Sequence, residues 1–250
     1  MKPQVICMPG GVAPAGVRYA PLKASAGDGV DLHPKDLEVY RGDAPPPDYS
    51  IELELSAIDH FADALGLERF HLLGYSGGGF ISLAYAGTRP GRLLSLALFE
   101  PARLPGEPTS AEREFADYLR GRLAGLQGPE FMAAFVKEQV KPGVQLSAPP
   151  PPNPEMRKRP AGIAAMQRAF DSFSFDRNLL RTVAFPVFYA YGDLSHDEQA
   201  VKAGVLAQLF PDIQVRRFAG VHHFVAPEAI YTPDHIHSLR QLWDRAEQGT

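Results

Sequence analysis

The chain has 250 residues, of which 45% are hydrophobic and 22% charged, and its formal net charge at pH 7 is −4. This composition is that of an ordinary globular protein, long enough to bury a full core in one large domain. The slight negative charge gives no basic bias toward nucleic acid or an anionic membrane. The single cysteine, Cys7, excludes an intramolecular disulfide framework and a cysteine-based zinc site.

The hydrophobic pattern predicts strands that alternate with helices along most of the chain. The predicted strands lie at residues 4–8, 36–40, 69–75, 93–99, 185–192 and 213–220. The predicted helices, placed by apolar periodicity and capping residues, lie at 49–66, 78–89, 197–210 and 232–248. The strands are continuous apolar runs, which are typical of a parallel sheet with helices on both faces. The predicted fold class is therefore α/β with a mostly parallel sheet.

One long segment, residues 101–183, interrupts this alternation and contains no convincing strand. It holds three helical stretches, at 111–126, 130–141 and 161–170. The tract APPPPNPE at 148–155 is rich in proline, which should exclude a regular helix or a central strand. We expect a core formed by 1–104 and 184–250, with residues 105–183 inserted as a helical cap.

A glycine-rich turn surrounds Ser76 between a predicted strand and a predicted helix. The sequence Gly74-Tyr75-Ser76-Gly77-Gly78 has the pattern G-x-S-x-G. In this context a tight strand-to-helix turn holds the serine in strained backbone geometry, and the glycines let the helix cross the strand closely. The free N–H groups of the helix N-terminus then lie beside the hydroxyl. The pattern predicts a nucleophilic serine.

The glycine-rich segments around Ser76 and after the first strand allow two other interpretations. Ser76 could be only a small residue in a tight turn. The segment PGGVAPAG after the first strand could be a phosphate-binding loop, but a G-x-G-x-x-G pattern would need glycine in place of Ala13. The sequence favours the nucleophile over both alternatives.

The serine turn, the PGG loop, the helical insertion and a late histidine together resemble the α/β-hydrolase fold superfamily over nearly the whole chain. The resemblance implies a nucleophile, an acid and a histidine in that order along the chain. It also implies an oxyanion hole formed by the N–H groups of Gly77 and of Gly11, or of Val12 beside it. The two strands that usually lead this fold are expected to be missing, because residues 4–8 already take the place of the strand before the oxyanion loop.

A serine hydroxyl needs a base within hydrogen-bond reach. Of the eight histidines, His222 and His223 follow the last predicted strand. The resemblance implies a base in this loop, commonly written Gly-His before an apolar or aromatic residue. His223, before Phe224, matches that register, and His222 takes the place of the glycine. A metal-binding pair is the alternative, but adjacent residues in an extended loop point apart. We predict His223 as the base and no metal.

The resemblance also implies a carboxylate that fixes the tautomer of the imidazole. It usually stands three residues beyond the glycine that ends the strand after the insertion, where this chain has Ser195. Asp193 is too close to Gly192 and Asp197 too far. The superfamily also uses the end of the strand after the nucleophile helix, as in some haloalkane dehalogenases, and Glu100 ends that strand. Glu100 is the predicted acid, and Asp193 is the alternative.

These residues predict a serine hydrolase, carboxylesterase-like, that cleaves an ester or related acyl bond through an acyl-enzyme on Ser76. The aromatic and apolar cap is expected to line a pocket for a small or medium apolar substrate. The alternative is a non-catalytic ligand-binding or regulatory protein of the same fold, which the irregular position of the acid favours. The bond type and the physiological substrate stay open.

The expected partner is a small molecule, with no cofactor, nucleic acid or membrane, and the sequence leaves a homodimer open. The apolar run before Pro9 is too short for the core of a signal peptide, and no run approaches the length of a membrane span. We therefore expect a cytoplasmic protein.

Overall fold

Six strands form one parallel sheet in the computed structural model, which describes residues 2–148 and 153–249. The strands are β1 (Gln4–Met8), β2 (Asp31–Pro34), β3 (Phe70–Tyr75), β4 (Leu93–Phe99), β5 (Val187–Gly192) and β6 (Ile213–Phe218). Their order across the sheet is β2–β1–β3–β4–β5–β6, and every neighbouring pair is parallel. The predicted α/β fold with a parallel sheet is confirmed.

Helices cover both faces of this sheet. They are α1 (Ala15–Ala26), α2 (Ile51–Ala64), α3 (Gly77–Thr88), α4 (Ser110–Leu123), α5 (Gly128–Lys137), α6 (Pro154–Ser172), α7 (Glu198–Leu209), α8 (Pro227–Ile230) and α9 (Pro233–Gln248). Short 3₁₀ turns lie at Gly27–Gly29, Glu38–Tyr40, Pro90–Arg92 and Arg177–Thr182. Across the described ranges, no helix combines the length and the apolar character needed to cross a membrane.

Alternate residues of the strands enter two hydrophobic layers. In β1, Val5 and Cys7 join the layer that contains α1 and α9, whereas Ile6 and Met8 join the layer that contains α2, α3 and α7. Trp243 of α9, only 1% exposed, is among the largest side chains of the first layer. Because both faces of the central strands are buried, β1, β3, β4 and β5 are apolar at nearly every position rather than at every second one.

The strand predicted at residues 36–40 is wrong. The second strand is β2, and Glu38–Tyr40 is a 3₁₀ turn whose residues Val39 and Tyr40 are buried. Only one of the four residues of β2 is fully buried, because the strand pairs with β1 alone at the edge of the sheet. A short, half-polar edge strand lacks the continuous apolar run that marks the central ones.

The cap region contains α4, α5 and α6 between β4 and β5. Helix α6 begins at Pro154, inside the proline tract where we expected no regular helix, and continues through Pro160. Proline is tolerated in the first turn because its missing N–H needs no partner there, and Asn153 caps the helix by accepting the Met156 N–H at 2.9 Å. Residues 149–152 of that tract lie outside the described residues. The boundaries 105–183 of the cap stay a prediction.

Candidate active site

The chain turns from β3 into α3 at Ser76, whose backbone φ is 53°. This left-handed conformation is unusual for a residue with a side chain. The glycines on either side allow close packing. A Cβ atom at Gly74 would lie 2.4 Å from Ser82 Oγ, and one at Gly78 would lie 2.4 Å from the carbonyl oxygen of Pro9. No larger residue fits at these two positions without moving the backbone, which is the physical reason for the glycine pattern.

Ser76, His223 and Glu100 form a hydrogen-bonded row. His223 Nε2 lies 3.0 Å from Ser76 Oγ, and His223 Nδ1 lies 2.7 Å from Glu100 Oε2. The other carboxylate oxygen, Oε1, accepts the backbone N–H of Gly192 at 2.7 Å and the hydroxyl of Ser195 at 2.6 Å. Both oxygens of the carboxylate are therefore engaged, and its orientation toward the imidazole is fixed.

The row is almost completely shielded from solvent. Ser76 is 8% exposed, His223 1% and Glu100 0%. Burial lowers the pKa of His223 below its ordinary value, and the hydrogen bond and negative charge of Glu100 oppose this shift without reversing it. The imidazole is therefore neutral near pH 7. With Nδ1–H donated to Glu100, Nε2 is left as an acceptor that faces the serine hydroxyl.

Asp193 and His222 do not join this row. Asp193 Oδ1 accepts the backbone N–H of Gly220 at 2.8 Å, so this carboxylate closes the loop after β6. His222 Nδ1 accepts the backbone N–H of Phe224 at 3.2 Å. The structure therefore brings Glu100, not the alternative acid, to the imidazole of His223.

Ser195 is a residue of this site that the sequence reasoning did not assign. It stands three residues beyond Gly192, where the resemblance implies an acid, and its hydroxyl binds Glu100 instead. Its unexpected residue type at that position was the available signal.

The two predicted oxyanion-hole glycines both lie beside Met166 of α6. Gly77 is the first residue of α3, so its N–H has no acceptor within the helix. A Cβ atom at Gly11 would lie 2.8 Å from Met166 Cε, and one at Gly77 would lie 3.2 Å from Met166 Sδ. The Tyr40 hydroxyl holds the loop from the other side by donating to the Gly11 carbonyl at 2.8 Å.

Helix α6 covers these two glycines with one of its faces. Ile163 and Met166 lie over Gly11, and Phe170 stacks on Phe80 of α3 at a centroid distance of 4.1 Å. A cavity of about 370 Å³ lies at a different face of α6. Its apolar lining comes from Leu104, Phe115, Leu119, Leu123 and Phe131, and it includes neither Ser76 nor His223. The apolar cap residues predicted to line one pocket are thus divided between two faces of α6.

Metal ions in proteins are usually bound by groups of His, Cys, Asp or Glu side chains. Within residues 2–148 and 153–249, no group of three or more His, Cys, Asp or Glu side chains is placed to hold a metal ion.

Comparisons with known proteins agree with this architecture. The family model described as alpha/beta hydrolase fold matches residues 41–229. No curated protein sequence matches the chain.

Several solved structures share the fold. One is from work on carboxylesterases of the thaumarchaeon Nitrososphaera gargenis (TM-score 0.73, 15% identity, covering 100% of this chain and 92% of that chain). Another is a thermophilic esterase from Thermogutta terrifontis (TM-score 0.70, 17% identity, 98% and 91%). A third is a membrane phospholipase A described as a bacterial virulence factor (TM-score 0.70, 21% identity, 98% and 80%).

Proposed function

We propose that this chain, which belongs to the α/β-hydrolase fold family, is a serine hydrolase that cleaves an ester or related acyl bond. The observation that carries the proposal is the buried row in which His223 lies 3.0 Å from Ser76 Oγ and 2.7 Å from Glu100 Oε2. These distances are those of a nucleophile, its base and the group that orients the base.

In the proposed reaction, His223 Nε2 takes the proton of Ser76 Oγ as the oxygen attacks a carbonyl carbon. Glu100 stabilises the imidazolium that forms and keeps the ring in place. His223 then gives the proton to the leaving alcohol, and the acyl group remains on Ser76. A water molecule then attacks the carbonyl carbon of the acyl-enzyme while His223 Nε2 takes one of its protons. As the bond to Ser76 Oγ breaks and the acid leaves, His223 gives this proton to Ser76 Oγ.

The oxygen of the tetrahedral intermediate becomes negatively charged and needs donors in place before it forms. The N–H groups of Gly11 and Gly77 are the proposed donors, since both glycines lie beside Met166. One such donor contributes on the order of 3 kcal/mol to transition-state stabilisation.

The proposed substrate is a small or medium apolar ester. Ile163, Met166 and Phe170 of α6 and Phe224 beside His223 surround the row with apolar side chains, and no charged group among them would recognise a charged acyl chain. The descriptions of two of the similar structures as esterases support an ester as the bond that is cleaved.

Hydrolysis of p-nitrophenyl esters of increasing acyl length tests the proposal. We expect turnover by the wild-type chain and none above background by Ser76→Ala, which fits the same backbone and should fold normally. Equal rates for the two folded proteins would contradict the serine mechanism. The acyl length with the highest kcat/KM defines the size of the acyl pocket.

A further inference from the structure

A buried arginine lies beneath the proposed catalytic row. Arg18 of α1 is only 5% exposed, and its guanidinium carbon lies 3.5 Å from the ring centroid of Tyr75. The same carbon lies 5.9 Å from the ring of Phe99 and 6.0 Å from the ring of Tyr231. Within the described residues, two of its nitrogens, Nε and Nη2, are buried without a hydrogen-bond partner. Burial of an incompletely paired guanidinium is costly, so packing alone does not explain this cation.

The rings that Arg18 contacts belong to the supports of the site. Tyr75 immediately precedes Ser76, and Phe99 immediately precedes Glu100. The Tyr75 hydroxyl also donates to the backbone carbonyl of His223 at 2.5 Å, and the two rings lie 4.9 Å apart. One guanidinium thus lies against the strand ends that carry the nucleophile and the acid, and through Tyr75 it is connected to the base.

The negative charge of Glu100 also needs a nearby positive charge. In the resting state Glu100 is a buried carboxylate beside a neutral imidazole, so His223 does not neutralise it. The nearby cation of Lys202 is already paired with Glu198 at 2.9 Å. Arg18 is a further cation that interacts electrostatically with Glu100, and its charge offsets part of the negative charge of this carboxylate.

We propose that Arg18 is a positioning residue that supports the strand ends at Ser76 and Glu100 and supplies part of the counter-charge of the Glu100 carboxylate. The inference rests on the proposed function. Because a nearby cation disfavours the imidazolium form of His223, Arg18 also keeps the base ready to accept a proton.

The charged and titratable groups around His223 come from several elements. They are Glu100 after β4, Lys202 of α7, Arg18 of α1, Tyr75 of β3 and His222 of the same loop. Among the causes that act on the pKa of His223, burial is the largest and lowers it, Glu100 raises it, and Lys202 and Arg18 lower it further. Removal of the Arg18 charge alone should therefore raise the pKa of the base.

The first test measures kcat/KM against pH for Arg18→Met and Arg18→Lys on one activated ester. For Arg18→Met we expect a loss of about tenfold at pH 7 and an acidic limb shifted upward by about 0.5 pH unit. Arg18→Lys keeps the charge and should keep the wild-type midpoint. An unshifted limb in folded Arg18→Met would overturn the proposal.

Arg92→Met is the matched control for this test. The Arg92 guanidinium also lies near an aromatic ring, 5.9 Å from Phe70, and its Nε is also buried without a partner among the described residues. Phe70 is at the opposite end of β3 from Tyr75. The control should leave both the rate and the midpoint unchanged, and a shift equal to that of Arg18→Met would overturn the proposal.

The second test needs no turnover and uses urea unfolding of Arg18→Met, Glu100→Gln and the double variant. If the two charges balance each other, the double variant is more stable than the sum of the single losses predicts. Should Arg18→Met fail to fold, the double variant is still expected to fold. Strict additivity, or failure of the double variant to fold, would overturn the charge balance. If the wild type shows this coupling but has no esterase activity, the proposed function fails and the coupling stands.

Discussion

At Glu100 the chain leaves a buried strand in a left-handed backbone conformation, with φ 46°. Ser76 has φ 53°, and among the described residues these two are the non-glycine residues with positive φ. Such conformations persist only where the surroundings enforce them, and they concentrate at functional sites. Here they direct the carboxylate and the hydroxyl from neighbouring strand ends toward the same imidazole.

We expect Glu100→Gln to lower kcat by at least about two orders of magnitude, because the amide cannot stabilise the imidazolium as a carboxylate does. Asp193→Asn should cost less than about tenfold, because this side chain bonds Gly220 and not His223. Rates on one activated ester decide between them, and the reverse order would move the acid to Asp193.

A double variant sharpens this test. Ser195 Oγ lies 2.6 Å from Glu100 Oε1, so a carboxylate placed at position 195 would lie close to the row. Glu100→Gln combined with Ser195→Asp should recover part of the activity lost by Glu100→Gln alone. No recovery in a folded double variant would show that the loop after β5 cannot present an acid in this protein.

The residues of the row could be predicted from the sequence because each follows a strand that the pattern identifies. The sequence alone could not decide whether Glu100 or Asp193 is the acid. The choice depends on which group binds Asp193, and its partner Gly220 lies 27 residues away along the chain. Arg18 carried no sequence signal, because its neighbours Tyr75, Phe99 and Tyr231 come from three distant segments.

At the scale of elements, α6 is the helix whose side chains lie over Gly11 and Gly77 at the site. It is fastened to the Glu38–Tyr40 turn, where the Arg159 guanidinium lies 4.0 Å from the Tyr40 ring and Lys158 donates to the Tyr40 carbonyl at 3.1 Å. Gly162 lets the helix approach, since a Cβ atom there would lie 2.0 Å from Tyr40 Cε1.

We expect Gly162→Ala to destabilise the protein by about 1–3 kcal/mol, because α6 must move away from Tyr40. Gly121→Ala in α4 is the control, since its Cβ would have no heavy atom within 4 Å. That variant should be neutral or more stable by up to about 1 kcal/mol. Urea unfolding measures both, and equal stability of the two variants would contradict the close contact of α6.

Proline lies in both of the helical segments that the sequence analysis did not predict. Helix α1 was not predicted, and it contains Gly16 and Pro21, two residues that usually disfavour helix. The start of α6 was missed because Pro154 occupies the first turn, where proline is compatible with a helix. In α1, packing against the core outweighs local preference, whereas at the start of α6 the local preference already allowed a helix.

At the scale of the whole molecule, the fold isolates the proposed reaction from water. The sheet presents Ser76 and Glu100 at the ends of β3 and β4, the loop after β6 supplies His223, and α6 closes the site from above. Met166 lies against both Gly11 and Gly77, so its side chain borders the proposed oxyanion donors. This enclosure also suits a binding protein, so the decisive property is the reactivity of the serine.

Labelling by a small alkyl fluorophosphonate tests that reactivity most directly, because the reagent modifies a serine only when its hydroxyl is activated by a base. We expect one adduct on the wild-type chain, located by peptide mass spectrometry at Ser76, no adduct on Ser76→Ala and strongly slowed labelling of His223→Ala. A folded wild-type chain that stays unlabelled while a known serine esterase reacts in the same tube would contradict the serine hydrolase and favour the non-catalytic binding protein.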